Sequence, residues 1–176
     1  MKILDLGCGN AKYKGGKNDV VIGVDNIRLD SVDVVHDLNK FPYPFKKDEF
    51  DLIFTSHNLE HLNNLDEVFL ELIRITKNNG RIRIRVPHFS CGVSYRDPTH
   101  KRLFSYFTFN YFTDECFYTK SKFKIIKRRL NFTRQAFTFL NFFINPIINI
   151  SPLIYERFFC WILPCAEVLA ELEVRK

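Results

Sequence analysis

The feature that most constrains how this 176-residue chain can fold is a glycine pair that follows a short apolar run. The run at residues 2–6 leads into Gly7 and Gly9, which predicts a buried strand that turns sharply and exposes its backbone to a ligand. A second apolar run, residues 20–24, stops at Asp25. A carboxylate at the tip of the second strand of a βαβ unit can accept hydrogen bonds from both hydroxyls of a ribose. The pattern therefore predicts a site for a nucleoside-bearing cofactor.

The residues around the glycines discriminate between such cofactors. A dinucleotide site has a third glycine three residues after the second, at the start of a helix that holds a pyrophosphate. Lys12 occupies that position, and residues 13–18 have no helical pattern. Asp5 would place a negative charge beside a phosphate, whereas it suits an ammonium group. S-adenosylmethionine has an adenosine, an α-ammonium, a sulfonium and no phosphate, so it fits these residues better than a dinucleotide.

These motifs resemble those of the class I S-adenosylmethionine-dependent methyltransferases, and specifically the small type 11-like branch. The resemblance extends to Asp37 after a third apolar run, to the Leu-Glu-His string at 59–61, to a helix over 65–77 and to a strand over 81–86. It is dense over residues 2–110 and thin afterwards. It implies an α/β fold with a Rossmann-like, mostly parallel twisted sheet flanked by helices. It also implies methyl transfer that leaves S-adenosylhomocysteine.

The resemblance places the cofactor at the ends of the first four strands. In the family, acidic residues at the positions of Asp25 and Asp37 bind the ribose and the adenine amino group. The predicted cofactor-binding residues are Asp5, Gly7, Cys8, Gly9, Asp25, Asn26, Asp37, Leu38, Ser56, His57, Asn58 and His61. His57, Glu60 and His61 also form a His-x-x-Glu-His string, which inverted zinc proteases combine with ligands from another helix. Because the string here follows a methyltransferase-like strand, we expect cofactor contacts and no metal.

A second polar group follows the fifth predicted strand, at the edge where ligands of open α/β sheets bind. His88 or His100 is a candidate general base on an acceptor hydroxyl or amine, because an imidazole titrates near neutral pH. Asp97 is a candidate for orienting that imidazole, and Arg96 or Arg102 for holding an anionic substrate group. A structural alternative stays open, namely a loop folded by Asx-turn hydrogen bonds around Asp97. Methyl transfer does not require a base, since the sulfonium is already a good leaving group.

An aromatic-rich segment separates the last two predicted strands, at 123–130 and 171–175. Members of the family usually join this pair by a short hairpin, whereas here residues 131–169 intervene, and their prolines predict two or three short helices. We interpret residues 1–176 as one domain with this aromatic-rich helical insert before the last strand. The insert could be extra core, a homodimer contact, a lid over an apolar acceptor or a peripheral membrane contact.

Composition narrows the compartment and the partners. The five cysteines are odd in number and form no Cys-x-x-Cys pair, which favours a reducing cytoplasm over a disulfide framework. No leader precedes the first strand and no run of 18 apolar residues occurs, so we expect a cytoplasmic protein. The net charge of +6 is concentrated after residue 80, which favours an anionic acceptor or surface.

We predict methyl transfer from S-adenosylmethionine to a small or lipid-linked acceptor, with oxygen as the first choice of accepting atom. Two alternatives stay open: a non-catalytic cofactor-binding regulatory partner, and an RNA or DNA methyltransferase. A basic run with aromatic residues over 120–129 is typical of nucleic-acid faces. However, residues 56–59 lack the Asn/Asp-Pro-Pro-aromatic motif of enzymes that methylate exocyclic base nitrogens. The sequence therefore argues against methylation of exocyclic base nitrogens, and a nucleic-acid substrate is the less favoured alternative.

Overall fold

The computed structural model describes residues 1–114 and 116–176, and the strands in this part form one mixed sheet. They are β1 (Lys2–Leu6), β2 (Val20–Asp25), β3 (Val34–Val35), β4 (Phe50–Ser56), β5 (Thr76–Pro87), β6 (Phe123–Asn131) and β7 (Glu167–Val174). Their order in the sheet is β3-β2-β1-β4-β5-β7-β6. Strands β1 to β5 are parallel, whereas β7 is antiparallel to both of its neighbours. The strand order reverses between β1 and β4, which is where open α/β sheets bind ligands.

The helices lie after β4 in the chain. They are α1 (Leu65–Ile75), α2 (Val93–Arg96), α3 (Asn141–Ile150) and α4 (Pro152–Ile154), with a π-helical turn at Tyr155–Phe159 and 3-10 turns at Leu59–His61, Thr108–Phe112 and Thr138–Leu140. Residues 7–49 are all described and none is helical, which agrees with the missing helical pattern at 13–18. Helix α1 begins after Asn64, whose side chain accepts hydrogen bonds from the N–H groups of Asp66 (3.1 Å) and Glu67 (3.4 Å). It ends two residues earlier than predicted, because β5 already begins at Thr76.

The buried core lies between α1 and the central strands. Leu4 on β1, Ile53 on β4 and Ile82 on β5 are fully buried. Helix α1 contributes Phe69, whose ring packs edge to face on Phe112 with centroids 4.4 Å apart. Burying an apolar side chain of this size stabilises a fold by about 1.5–3 kcal/mol. Strands β1 and β4 pair side by side in the sheet, so the loops that follow the two strands meet.

The alternating arginines of β5 find their partners on β7. The cross-strand ion pairs are Arg81–Glu173 (2.9 Å), Arg83–Glu171 (3.2 Å) and Arg85–Glu167 (2.7 Å). Opposite charges on adjacent strands stabilise a sheet locally. The strict alternation in the sequence therefore arises from an acidic neighbouring strand, and β5 remains a central strand as the resemblance implies.

A ladder of asparagines ties the insert to the edge strand β6. Asn141, Asn145 and Asn149, spaced one helical turn apart on α3, accept hydrogen bonds from backbone N–H groups at the end of β6 and just after it. The bonds run from Thr133 to Asn141 (3.0 Å), from Phe132 to Asn145 (2.7 Å) and from Leu130 to Asn149 (2.8 Å). The ladder occupies a strand edge that would otherwise be unpaired.

The boundaries of the insert differ from the prediction of 131–169. Asn131 is the last residue of β6, and β7 begins at Glu167, so the insert comprises residues 132–166. Its short helices confirm the expected helical character. The expectation that its prolines end helices is wrong for Pro146, which lies inside α3. The asparagine ladder fixes α3 against β6 on both sides of the proline and compensates for the lost helical hydrogen bond.

The face of the insert that points away from β6 is apolar and open to solvent. We call this set of residues the apolar surface: Phe137, Phe139, Phe142, Phe143, Ile147, Ile150, Leu153, Ile154, Phe158, Phe159, Trp161 and Ile162, each exposed by half or more. Among the described residues, no single helix has the length and apolarity needed to cross a membrane. Two segments that meet at 94°, Thr138–Ile150 and Pro152–Phe159, reach that length and composition only when they are taken together.

Candidate active site

A cavity of about 880 Å³ lies at the carboxyl ends of β1, β2 and β4. It is within the size range of small-molecule sites. The predicted cofactor residues that line it are Gly7, Gly9, Asp25, Asn26, Asp37, Leu38, His57, Asn58 and His61. Residues that the sequence did not assign to the cofactor also line it, namely Ile27, Asn39, Leu62, Pro98, Thr99 and Lys101. The last three belong to the loop after β5, which sequence reasoning had assigned to the acceptor.

The glycine turn adopts a backbone that only glycine accommodates easily. Gly7 and Gly9 have φ values of +75° and +53°, in the left-handed region. A Cβ at Gly7 would lie 2.4 Å from Cγ of Asn58, so the turn packs directly on the segment after β4. A Cβ at Gly9 would meet no atom within 4 Å. The N–H of Gly9 donates to Oδ2 of Asp25 at 2.9 Å, which joins the turn to the tip of β2.

Two carboxylates reach the cavity with acceptor capacity to spare. Asp25 accepts hydrogen bonds from the N–H groups of Gly9 (2.9 Å) and Ile27 (3.3 Å). Asp37 accepts from the N–H of Asn39 through Oδ1 at 3.0 Å, and this backbone bond holds the pKa of Asp37 below its ordinary value. Each carboxylate offers about four lone-pair sites, so both can also accept hydrogen bonds from hydroxyl or amino groups.

Three predicted cofactor residues lie outside the cavity lining. Asp5 is buried, and its Oδ2 accepts the N–H of Tyr13 at 2.6 Å instead of facing the cavity. Burial raises the pKa of Asp5 to about 6. Cys8 is buried, with Sγ 3.8 Å from the carbonyl oxygen of Ser31, and Ser56 ends β4 without reaching the lining. Asp5 lies outside the lining because the irregular chain after Gly9 folds back over β1, and its contact with an ammonium group stays a prediction.

His57 lies in a buried charge cluster at the boundary of the cavity. Its Nε2 is 2.7 Å from Oε1 of Glu167, and its Nδ1 is 3.5 Å from Oε1 of Glu60. Burial favours the neutral imidazole, but the two carboxylates outweigh burial and raise the pKa of His57. Burial likewise opposes ionisation of Glu167, yet bonds from His57, Arg85 and Asn131 lower the pKa of Glu167 to about 2. His57 therefore lies between two acidic groups that favour its protonated form.

A second cavity, of about 340 Å³, also has His57 in its lining. Its lining includes Arg96 from α2 and Arg134 from the start of the insert. Residues 133–136 form one wall, directly before the first aromatic residue of the apolar surface. Because His57 and its partner Glu167 contribute to the lining, the second cavity adjoins the first at the charge cluster.

His88 does not reach either cavity. Its side chain is 0% exposed, with Nε2 3.1 Å from Oε1 of Glu156 and Nδ1 2.8 Å from Oγ of Ser90. The prediction of His88 as a base facing an acceptor is therefore wrong for this conformation. Its partner Glu156 belongs to the insert and cannot be recognised from the sequence alone.

Asp97 and His100 lie near each other, but Asp97 does not orient the imidazole by a hydrogen bond. Oδ2 of Asp97 is 3.8 Å from Nε2 of His100, whereas its Oδ1 accepts the N–H (2.9 Å) and hydroxyl (2.7 Å) of Thr99. These bonds hold the pKa of Asp97 below its ordinary value. The Asx-turn alternative thus describes Asp97 correctly. Arg102 donates to the backbone carbonyls of Leu62 and Asn63 and anchors the loop.

Comparisons with known proteins agree with this geometry. Residues 4–84, from β1 into β5, match the family model described as a methyltransferase domain. A sequence search of curated proteins found no match. Among solved structures, a SAM-dependent methyltransferase from Archaeoglobus fulgidus superposes with a TM-score of 0.64 at 19% identity, covering 98% of this chain and 85% of that chain. One from Aquifex aeolicus gives a TM-score of 0.59 at 12% identity, covering 99% and 82%.

A third similar structure contains the Haloferax volcanii Trm112 methyltransferase activator, with a TM-score of 0.62 at 15% identity and coverage of 99% and 83%. At such identities the structural likeness shows the fold. Together with the family match over residues 4–84, the fold supports a class I S-adenosylmethionine-dependent methyltransferase. S-adenosylmethionine is its methyl donor.

The residues of the larger cavity fit this donor. The side-chain nitrogen Nδ2 of Asn58 is buried and has no hydrogen-bond partner among the described residues, although Asn58 lines the cavity. A buried unpaired donor of this kind indicates a ligand acceptor such as a carboxylate. The space beside Gly9 admits a ligand close to the backbone. Asp25 and Asp37 supply acceptors for an adenosine.

Proposed function

We propose that the enzyme methylates an oxygen of an amphiphilic, lipid-linked acceptor whose polar or anionic head group enters the second cavity. The observation that carries the proposal is the position of that cavity. It shares His57 with the cofactor cavity on one side, and its wall at residues 133–136 leads into the apolar surface on the other. The head group of the acceptor would thus bind in the second cavity, and its apolar chain would lie along the adjoining apolar surface.

The basic residues of the second cavity support an acidic head group. Arg96 and Arg134 both line it, and each presents a planar fork of donors that suits carboxylate, phosphate or phenolate oxygens. Arg134 lies 3.6 Å from Glu167, so its charge is only partly compensated by a group that His57 and Arg85 share. A guanidinium favours the ionised form of a nearby hydroxyl, which makes the oxygen nucleophilic without a dedicated base.

The apolar surface supports an acceptor that resides in a lipid bilayer. Phe142 is 79% exposed, and further exposed phenylalanines and isoleucines lie on α3 and on the segment after it. Patches of this extent on proteins mark interaction sites, and aromatic residues are common where helices rest in a membrane interface. The net positive charge of the chain adds attraction to anionic lipids.

The residues of the chain act mainly by holding two partners in line. When bound, S-adenosylmethionine supplies an activated methyl group on a positively charged sulfur. Asp25 and Asp37 bind the adenosine end, and Asn58 orients the methionine end toward His57. Arg96 and Arg134 hold the head group of the acceptor in the second cavity, next to His57. Alignment at near-attack distance provides most of the acceleration in a reaction of this kind.

The proposal is tested with methyl-labelled S-adenosylmethionine and three acceptor pools: bacterial lipid extract in vesicles, water-soluble metabolites, and transfer RNA. We expect protein-dependent label in the chloroform-soluble fraction. Arg134→Ala should reduce this transfer at least ten-fold, whereas Arg175→Ala, a matched exposed arginine at the end of the chain, should not. Label confined to the aqueous pools would contradict a lipid-linked acceptor. Binding of S-adenosylhomocysteine without transfer to any pool would instead support the regulatory alternative.

A further inference from the structure

Three side chains that can bind a metal meet beside the cofactor cavity. Glu60 and His61 lie in the 3-10 turn after β4, and His100 lies in the loop after α2. One potential ligand atom from each lies within 4.8 Å of the other two. The rings of His61 and His100 pack edge to face, with centroids 4.7 Å apart. The fold therefore supplies, from a distant segment, the third ligand that the string at 57–61 lacks in the sequence.

Glu60 is the first sign that this cluster has an unrecorded partner. Its side chain is 0% exposed, and neither carboxylate oxygen has a hydrogen-bond partner among the described residues. Nδ1 of His57 lies 3.5 Å from Oε1, while Nε2 of the same ring binds Glu167 at 2.7 Å. A buried carboxylate without hydrogen bonds is costly, and a bound cation is one way in which proteins offset that cost.

Both histidines are held in the tautomer that metal ligands adopt. Nδ1 of His100 lies 3.2 Å from the backbone carbonyl of Ser94, and a carbonyl only accepts, so Nδ1 carries the proton. Nδ1 of His61 lies 2.8 Å from Oγ1 of Thr99, which gives its own proton to Asp97 at 2.7 Å. Nδ1 of His61 is therefore the donor as well. In each neutral ring this leaves the lone pair on Nε2, with the other nitrogen fixed by a protein oxygen.

Nε2 of His100 lies near Oε1 of Glu60, and both atoms carry a lone pair. It lies 3.9 Å from Oε1 of Glu60, too far for a hydrogen bond. Two ligands of a tetrahedral zinc ion, each about 2.0–2.1 Å from the metal, are separated by about 3.3 Å, so a small side-chain rotation closes the gap. We propose that Glu60, His61 and His100 bind one divalent transition-metal ion, with Zn²⁺ as the best match to imidazole and carboxylate ligands.

The ion would lie at the wall of the cofactor cavity, since His61 lines it. Three protein ligands leave a fourth position of a tetrahedral ion open, as in catalytic zinc sites. The proposal does not depend on the acceptor, because it rests on the tautomers, the burial and the distances within the cluster. It can therefore be tested by binding alone.

The test uses the full chain after treatment with a chelator, titrated with Zn²⁺ by calorimetry and with Co²⁺ by absorption spectroscopy. We expect one equivalent of either ion, and a Co²⁺ spectrum of a four- or five-coordinate site with nitrogen and oxygen ligands. His100→Ala and Glu60→Gln should each weaken Zn²⁺ binding at least ten-fold. His36→Ala, a histidine outside the cluster, should leave the affinity unchanged. Circular dichroism of each variant checks that the fold is retained.

Several results would overturn the proposal. Absence of one-equivalent binding would do so, as would binding that His100→Ala and Glu60→Gln leave unchanged. The chain has five free cysteines, all in the described part, and a thiolate-to-Co²⁺ charge-transfer band at the first equivalent would place the ion on sulfur. If Glu60→Gln does not fold, Thr99→Val provides the second variant. It removes the partner of His61 Nδ1 and should weaken binding about ten-fold.

Discussion

The cofactor half of the molecule and the insert bury their apolar residues to very different extents. In the strands β1 to β5 and helix α1, the large apolar side chains are mostly buried in one core, and polar groups collect at the carboxyl edge of the sheet. In the insert, α3 turns its asparagines toward β6 and its phenylalanines toward solvent. A surface helix of a globular protein usually turns its apolar side toward the protein and its polar side toward solvent. Helix α3 does the reverse.

The insert is attached to the sheet by hydrogen bonds and by a few buried side chains. Asn141, Asn145 and Asn149 bind the backbone at the end of β6, while Ile148 and Tyr155 are buried in the core. The remaining apolar side chains of α3 are not needed for this attachment. Its phenylalanines are therefore available to a partner outside the chain, and the proposed partner is a lipid surface.

The largest expected effect separates the two regions by membrane binding. Replacing Phe142, Phe158 and Trp161 with Ser should weaken binding to phosphatidylcholine–phosphatidylglycerol vesicles by about 100-fold or more, because each side chain contributes about 1.5–3 kcal/mol when buried. Co-flotation measures the bound fraction. Phe117→Ser with Tyr118→Ser, two exposed aromatic residues outside the insert, is the matched control.

The triple variant should keep its affinity for S-adenosylhomocysteine, since none of its positions lines the cofactor cavity. Vesicle binding that survives the triple substitution, or that the control lowers equally, would refute the membrane role. Sedimentation distinguishes a further outcome. A dimer that dissociates in the triple variant would identify a second copy of the chain as the occupant of the apolar surface.

The second prediction concerns a variant that should lose cofactor affinity and keep vesicle binding. Asp25→Ala removes the acceptor proposed for the ribose hydroxyls and the bond to the N–H of Gly9, so affinity for S-adenosylhomocysteine should fall at least ten-fold. Vesicle binding should not change. Asp30→Ala, an exposed carboxylate close in sequence, is the control and should bind normally. Calorimetry that gives equal affinities for Asp25→Ala and the unaltered protein would show that the cofactor register is wrong.

The sequence predicted the cofactor half well because its signals are local. Gly7 and Gly9 predict a sharp turn, which has left-handed backbone angles in the structure. Asp25 and Asp37 each follow an apolar run and therefore predict the ends of two strands. The helix cap at Asn64 is equally local. The position of the cavity at the strand ends follows from such features, and the fold class follows from the resemblance to a known family. The resemblance to a known family added the identity of the cofactor.

Side chains whose surroundings come from distant segments could not be placed in the same way. The sequence predicts His88 as a base because it follows a strand. Its hydrogen-bond partner Glu156, however, lies 68 residues away in the insert. The meeting of Glu60 with His100 also depends on how the loop after β5 returns to the 3-10 turn. The sequence predicts that Pro146 ends a helix, but Pro146 lies inside α3. The asparagine ladder that holds α3 forms only where β6 and α3 are adjacent, so the sequence does not reveal it.

The smallest expected effect concerns Asp5, where local and tertiary arguments disagree. Its position before the glycine turn favours contact with an ammonium group, whereas the structure buries it against the N–H of Tyr13. Burial raises the pKa of Asp5 from an ordinary 3.8 to about 6, so the folded state favours the protonated form. The stabilisation from protonation is complete below pH 3.8 and is lost as the pH rises through 6.

Asp5→Asn should therefore be neutral for stability near pH 4 and stabilising above pH 7, by about 1 kcal/mol or about 2–4 °C in Tm. The amide oxygen can still accept the N–H of Tyr13. Thermal denaturation at the two pH values measures the difference, and Asp30→Asn is the exposed control.

The Asp5→Asn variant also discriminates the two roles of Asp5, because a residue that pairs with the ammonium group of the cofactor cannot lose its charge without losing affinity. Unchanged binding of S-adenosylhomocysteine with a pH-dependent gain in Tm makes Asp5 a support of the turn. Ten-fold weaker binding would return it to the cofactor site, and the fold around Tyr13 would then have to open when the cofactor binds.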